Sequence, residues 1–160
     1  MADLRCTVNG EEVALDLPPN LSLADFLRER LRLTALHLGC EHGVCGACTV
    51  LADGVPVRSC LRPAVSFHGL EITTLEGLAG DPQLESLRAA FGAHHALQCG
   101  YCTPGMLIAA RDILRRLPEA DEARIREELA GNICRCTGYQ GIVDAVAAAL
   151  TRQSKGAQDP

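Results

Sequence analysis

The tightest constraint on this chain is the stretch Gly39-Cys40-Glu41-His42-Gly43-Val44-Cys45-Gly46-Ala47-Cys48. Three cysteines fall in it as C-x4-C-x2-C, and Cys60 follows after eleven further residues. Four thiolates gathered by a short glycine-rich loop and one return strand suit a [2Fe-2S] cluster, in which two irons take four protein sulfurs. The glycines fit that task, because a residue without Cβ lets the backbone curl tightly and aim its N–H groups at sulfur. Three other readings compete. Structural zinc pairs its ligands as C-x2-4-C twice, which is not this spacing. A disulfide framework needs an oxidising compartment, and Met1-Ala2-Asp3 runs into a strand pattern without the basic and apolar regions of an export signal. Isolated buried cysteines are common, but four at this spacing among glycines call for a joint account.

The chain has 160 residues and nine cysteines, so two sets of four leave one over. The remaining one, Cys6, lies in a strand-like run and is expected to be a small buried apolar side chain. At this length the chain holds one medium domain or two small ones, and small ones gain from a metal staple. Aromatics make up 3% and Trp is absent, so the cores are expected to be built from Leu, Val, Ile and Ala. A net charge of -5 argues against nucleic acid as a partner. No apolar run approaches the roughly 20 residues of a bilayer span. A cytoplasmic location is the expectation.

Leu4–Val8 and Val13–Leu17 flank Asn9-Gly10, a dipeptide that readily takes the positive φ values of a two-residue hairpin turn. Ser22 with Asp25 approximates a capping box, and Leu23, Phe26, Leu27 and Leu31 share a face, which predicts a helix of about three turns. Cys48–Leu51 and Val55–Ser59 flank Asp53-Gly54, a second hairpin that returns Cys60 to the loop. Leu70–Thr73 adds a short strand. These parts describe a β-grasp, plant-type ferredoxin-like domain over residues 1–77. His42 is expected on the loop surface, since four cysteines already fill the coordination sphere.

Beyond Gly77–Pro82 the pattern turns helical. Leu84, Leu87 and Phe91 mark one helix. Thr103-Pro104 predicts an N-cap followed by proline at the first helical position, with Met106, Ala110, Ile113, Leu114 and Leu117 as the buried stripe. Asp121 predicts the cap of a third helix containing Ile125 and Leu129 and ended by Gly131. A fourth runs from about Tyr139 through Ile142, Val143, Val146 and Leu150. The expectation is thus an α+β chain whose residues 78–151 form a four-helix bundle, with 152–160 a flexible tail.

The bundle carries Cys99-Gly100-Tyr101-Cys102 and Cys134-Arg135-Cys136, a C-x2-C and a C-x-C separated by thirty-one residues. Each pair precedes a helix. Two helix N-termini aimed at one spot would supply N–H donors and partial positive charge to an anionic cluster. Zinc remains a competitor for this set, although the one-residue gap of the second pair is tight for it. A thioredoxin-like pair would need a βαβ setting that is missing.

Together, the run Gly39–Cys48 with Cys60, then Gln98-Cys99-Gly100-Tyr101-Cys102-Thr103-Pro104-Gly105, and Gly131-Asn132-Ile133-Cys134-Arg135-Cys136-Thr137-Gly138-Tyr139 resemble the small iron-sulfur subunit of molybdenum hydroxylases. That family includes xanthine dehydrogenase, aldehyde oxidoreductase and aerobic carbon monoxide dehydrogenase. The resemblance spans about residues 3–150 and matches all eight ligand positions. It implies that Cys40, Cys45, Cys48 and Cys60 hold a [2Fe-2S] cluster on the flavin side. Cys99, Cys102, Cys134 and Cys136 would hold another beside the molybdopterin, and Gln98 would contact the pterin across an interface. Arg135, set between two ligands, would offset cluster charge or meet a partner; a solvated surface arginine is the other reading.

The resemblance further implies an electron-transfer subunit with no catalytic residue of its own. Molybdopterin-molybdenum and FAD would reside in a large and a medium partner, as a dimer of heterotrimers. The chain has no room for a molybdopterin domain and no GxGxxG flavin fingerprint. A stand-alone two-cluster ferredoxin and the small subunit of a reductive dehydroxylase of the same family are the alternatives.

Overall fold

A computed structural model describes residues 1–156. Strands β1 (Ala2–Val8) and β2 (Glu11–Leu17) pair antiparallel, with Val8 opposite Glu11. Asn9 and Gly10 both take positive φ, 52° and 85°, as the two-residue hairpin turn requires. The second hairpin repeats the device. Asp53 and Gly54, at φ 47° and 76°, join β3 (Thr49–Ala52) to β4 (Val55–Arg58). The last strand, β5 (Glu71–Thr73), runs parallel to β1 and antiparallel to β3, so the sheet order is β2-β1-β5-β3-β4. Its two edges are β2, which exposes Glu11, Glu12 and Asp16, and β4, which contains Pro56.

The helix after β2 starts as expected and ends early. The Ser22 hydroxyl accepts from the Asp25 N–H at 3.0 Å and donates to its carboxylate at 2.7 Å. One α-helical turn, α1 (Leu23–Asp25), then widens into a π-helical turn (Phe26–Arg30), closed by the Leu31 N–H on the Phe26 carbonyl. Arg32 adopts φ 59° and stops it, so three regular turns never form. Phe26 and Leu27 are fully buried in a core that also holds Leu4, Val8, Val50, Phe67 and Ile72. Cys6 lies in this core, and burial pushes its thiol above the ordinary range.

Four helices build a second core: α2 (Pro82–Ala93), α3 (Thr103–Arg116), α4 (Glu122–Leu129) and α5 (Gln140–Gly156). Asp81 caps α2 by accepting from Leu84 N–H at 2.9 Å, and its other oxygen pairs with Arg111 of α3 at 2.6 Å. Asp121 caps α4 in the same way, accepting from Arg124 N–H. The expected Thr103 cap is not formed. Cys102 occupies that position in helical geometry, Thr103 is already inside the helix, and its hydroxyl is buried without a partner. The expected tail is also corrected. Helix α5 continues through Arg152 to Gly156, where Gln153 bonds the Gln83 side chain and the Leu114 carbonyl; only residues 157–160 lie outside the described part. A polar sequence with no apolar stripe conceals a helix end held by two side-chain hydrogen bonds.

The two cores meet across β3, all four of whose residues are buried: Val50 belongs to the first core and Leu51 to the second. Alternation along a strand sends neighbouring side chains to opposite faces, so one strand serves both halves. No helix among the described residues is long and apolar enough to cross a membrane.

Candidate metal centres

The first set of thiols is built locally. The loop from Gly39 to Cys48 folds back on itself, and the Cys45 N–H points at the Cys40 sulfur at 3.4 Å. This N–H, and next that of His42, hold the Cys40 thiol down at about 6, well below the ordinary thiol range. Hairpin β3–β4 returns the fourth thiol: Ser59 N–H and Oγ both bond the Cys48 carbonyl, which sets Cys60 beside Cys48. Burial, then the Cys48 thiol and its charge, push Cys60 up to about 11. His42 is exposed and its Nδ1 contacts the Cys40 carbonyl, at the loop surface as anticipated.

The second set depends on tertiary packing. Cys99 and Cys102 precede or begin α3, and Cys134 and Cys136 lie in the turn before α5. The Cys136 and Cys99 sulfurs approach to 3.4 Å. The Tyr101 N–H, then Cys136, lower the Cys99 thiol, whereas burial and then Cys134 push Cys102 up to about 12. For Cys134 the largest single influence, burial, is upward. It is outweighed by the Thr137 hydroxyl, 3.1 Å from the sulfur, and by the N–H groups of Cys136 and Thr137. Tyr139, at φ 70°, ends this turn and reaches back so that its hydroxyl accepts from Cys134 N–H at 2.9 Å.

Both sets show the same chemistry. Backbone N–H groups converge on sulfur, while burial first and then neighbouring thiols push one or more of each set upward. None of the nine cysteines is in a disulfide. Among the described residues no three Cys, His, Asp or Glu side chains converge as they would around one metal ion. A two-iron core does not ask for that, because each iron takes two protein sulfurs and two bridging sulfides.

Gln98 is exposed beside the second set, its Nε2 donating to the Cys136 carbonyl at 3.0 Å. Arg135 is exposed and has no hydrogen bond or ion pair among the described residues. Sequence reasoning gave no joining role to the residues that connect the two sets. The Cys45 carbonyl accepts from Ile133 N–H at 2.8 Å, one residue before Cys134. Arg58 donates to Thr49 Oγ1 and to the Gly131 carbonyl, each at 2.6 Å, and to Asn132 Oδ1 at 3.2 Å. Asn132, 3% exposed, donates in turn to the Gly46 carbonyl at 3.3 Å. Its place two residues before Cys60 was the signal available for Arg58. Tyr101 also spans the halves, donating to the Leu38 carbonyl at 2.8 Å while stacking on His37 at 4.5 Å.

Residues 6–69 match a 2Fe-2S iron-sulfur cluster binding domain, and residues 74–147 match a [2Fe-2S] binding domain. The caffeine dehydrogenase subunit gamma of Pseudomonas sp. (strain CBB1) is 50% identical over 143 residues, covering 88% of this chain and 86% of its own length. The xanthine dehydrogenase iron-sulfur-binding subunit of Escherichia coli O157:H7 is 44% identical over 145 residues, covering 89% of this chain and 91% of its own length. A chain in the crystal structure of quinoline 2-oxidoreductase from Pseudomonas putida 86 superposes with a TM-score of 0.87 at 46% identity, covering 96% of each chain. With two sets of four thiols and these relatives, the chain belongs to the small iron-sulfur subunits of the molybdenum hydroxylases, the [2Fe-2S] electron-transfer components of multi-subunit oxidoreductases.

Proposed function

We propose that Cys40, Cys45, Cys48 and Cys60 hold one [2Fe-2S] cluster and Cys99, Cys102, Cys134 and Cys136 the other. Residues 1–77 and 78–156 form their respective domains. When bound, the clusters take up and release single electrons, and so connect a large subunit's molybdopterin centre with FAD in a medium subunit. The observation that carries this reading is the Cys45 carbonyl bonded to Ile133 N–H, which ties a ligand loop of one set to the residue before a ligand of the other. The chain's own residues hold both loops in fixed register, aim N–H groups at sulfur and keep the sites partly buried.

Gln98 is the pterin-side contact in this proposal: with Nε2 on Cys136, its Oε1 remains available to a donor from the partner. A subunit is favoured over a stand-alone ferredoxin by where apolar surface is exposed. Val44 and Leu61 flank the first set, and Leu97, Tyr101 and Ile133 flank the second, each 42–56% exposed. A free carrier would keep such surface polar. The full assembly is proposed as a cytoplasmic dimer of heterotrimers.

The test is low-temperature electron paramagnetic resonance of the purified native complex after dithionite reduction, with iron analysis. Two distinct [2Fe-2S] signals and about four irons per small subunit are expected from two two-iron clusters. A single signal, or zinc in place of iron, overturns the reading.

A further inference from the structure

Arg58 stands at the seam between the two thiol sets and has no carboxylate partner. It is absent from the ion pairs among the described residues, and its three acceptors are a hydroxyl, a backbone carbonyl and an amide oxygen. Those acceptors belong to both halves. Thr49 follows Cys48 and bonds the Gly46 carbonyl at 2.6 Å, and Gly131 and Asn132 lead into Cys134. The packing leaves this seam no slack. A Cβ on Gly46 would lie 2.6 Å from Asn132 Nδ2, and one on Gly131 would lie 2.8 Å from Arg58 Nη2. Arg58 is half-buried, and a guanidinium partly withdrawn from water without a counter-ion is unfavourable unless anions nearby balance it. Clusters held by four thiolates carry negative charge in either oxidation state, so the seam between them is where such a cation is stabilised.

We propose that Arg58 is the positioning residue of the intercluster contact and the shared counter-charge of both centres. This rests on the two-cluster assignment given above. Its planar fork fixes Gly131 and Asn132 against the Thr49–Gly46 turn, which holds Ile133 N–H on the Cys45 carbonyl. Its permanent charge favours the reduced, more negative form of each centre. With both clusters bound, passage of one electron between the centres would oxidise one and reduce the other. Arg58 carries no electron itself and acts through its charge and its position.

Three variants in the purified holo-complex separate charge from geometry: Arg58→Met, Arg58→Lys and Asn132→Ala. The readouts are the reduction midpoints of the two signals in a dithionite titration and the magnetic splitting between the two reduced centres at low temperature. Arg58→Met is expected to lower both midpoints and to lose the splitting. Arg58→Lys keeps the charge but not the fork, so its midpoints stay near the parent's while the splitting weakens. Asn132→Ala behaves like Arg58→Lys, and it decides the positioning claim if Arg58→Met fails to assemble. Parent-like midpoints and splitting in Arg58→Met overturn the proposal, as does a parent-like splitting in both Arg58→Lys and Asn132→Ala. A parent complex that lacks two signals defeats the two-cluster assignment instead, before any variant is compared.

Discussion

The two thiol sets reach similar chemistry by opposite routes. In the first, three cysteines share a ten-residue loop, and the fourth arrives on a hairpin whose turn is specified by two residues. In the second, two pairs separated by thirty-one residues are brought together by helices that pack only when the second core forms. The first site is therefore a local object with a supporting sheet, and the second is a consequence of tertiary structure. Disturbing the helical core should reach one centre and spare the other.

The largest expected effect is ligand loss. Cys102→Ser should abolish the signal of the second centre and stop turnover while the first centre's signal persists in electron paramagnetic resonance. Equal loss of both would erase the contrast. Next comes Gly105→Ala, because a Cβ at Gly105 would lie 2.2 Å from the Gly46 carbonyl oxygen. Alanine in a helix ordinarily gains about 1 kcal/mol over glycine. Here overpacking by up to about 3 kcal/mol should win, and α3 should move off the first loop. Denaturant unfolding of the complex measures it, and a more stable variant would show that the contact yields.

Asp81→Ala removes a helix cap and the partner of Arg111 together, at a cost of roughly 2 kcal/mol. It should loosen the second centre before the first. The Arg111 guanidinium holds the Asp81 carboxyl below the usual carboxylate range. Its folded pKa is depressed, so its contribution is fully present above the ordinary carboxylate pKa and is lost as pH falls through the folded value. A parent-minus-variant stability difference that does not shrink in acid would contradict this. The smallest effect is expected for Cys6→Ala, a core-packing loss of about 1 kcal/mol with iron content unchanged at both centres.

What could be read in the sequence follows the same division. Asn9-Gly10 and Asp53-Gly54 declare their turns because only a few residue types tolerate positive φ, and Ser22 and Asp121 declare caps through side-chain oxygen. The eight cysteines announce themselves by spacing. Thr103 misled, because Thr followed by Pro reads as a cap, yet Cys102 takes that position and Thr103 lies one residue inside. The polar residues after Leu150 concealed a helix end, since Gln153 is held by hydrogen bonds and leaves no apolar stripe. Arg135 drew attention by sitting between two cysteines, while Arg58, in an unremarkable strand, makes the contacts. Seam residues such as Arg58, Asn132 and Gly105 carry no local periodicity, because what they meet is distant in the chain.

The rims of the sheet have a further consequence. β2 presents Glu11, Glu12 and Asp16 outward, and β4 contains a proline that cannot donate to a ladder. Each border thus carries a feature that discourages an added strand, although Leu15 on β2 and Val55 on β4 are also exposed. The cysteine-bearing loops expose Val44, Leu61, Leu97, Tyr101 and Ile133, so recognition by a partner there would coincide with the place where charge must cross.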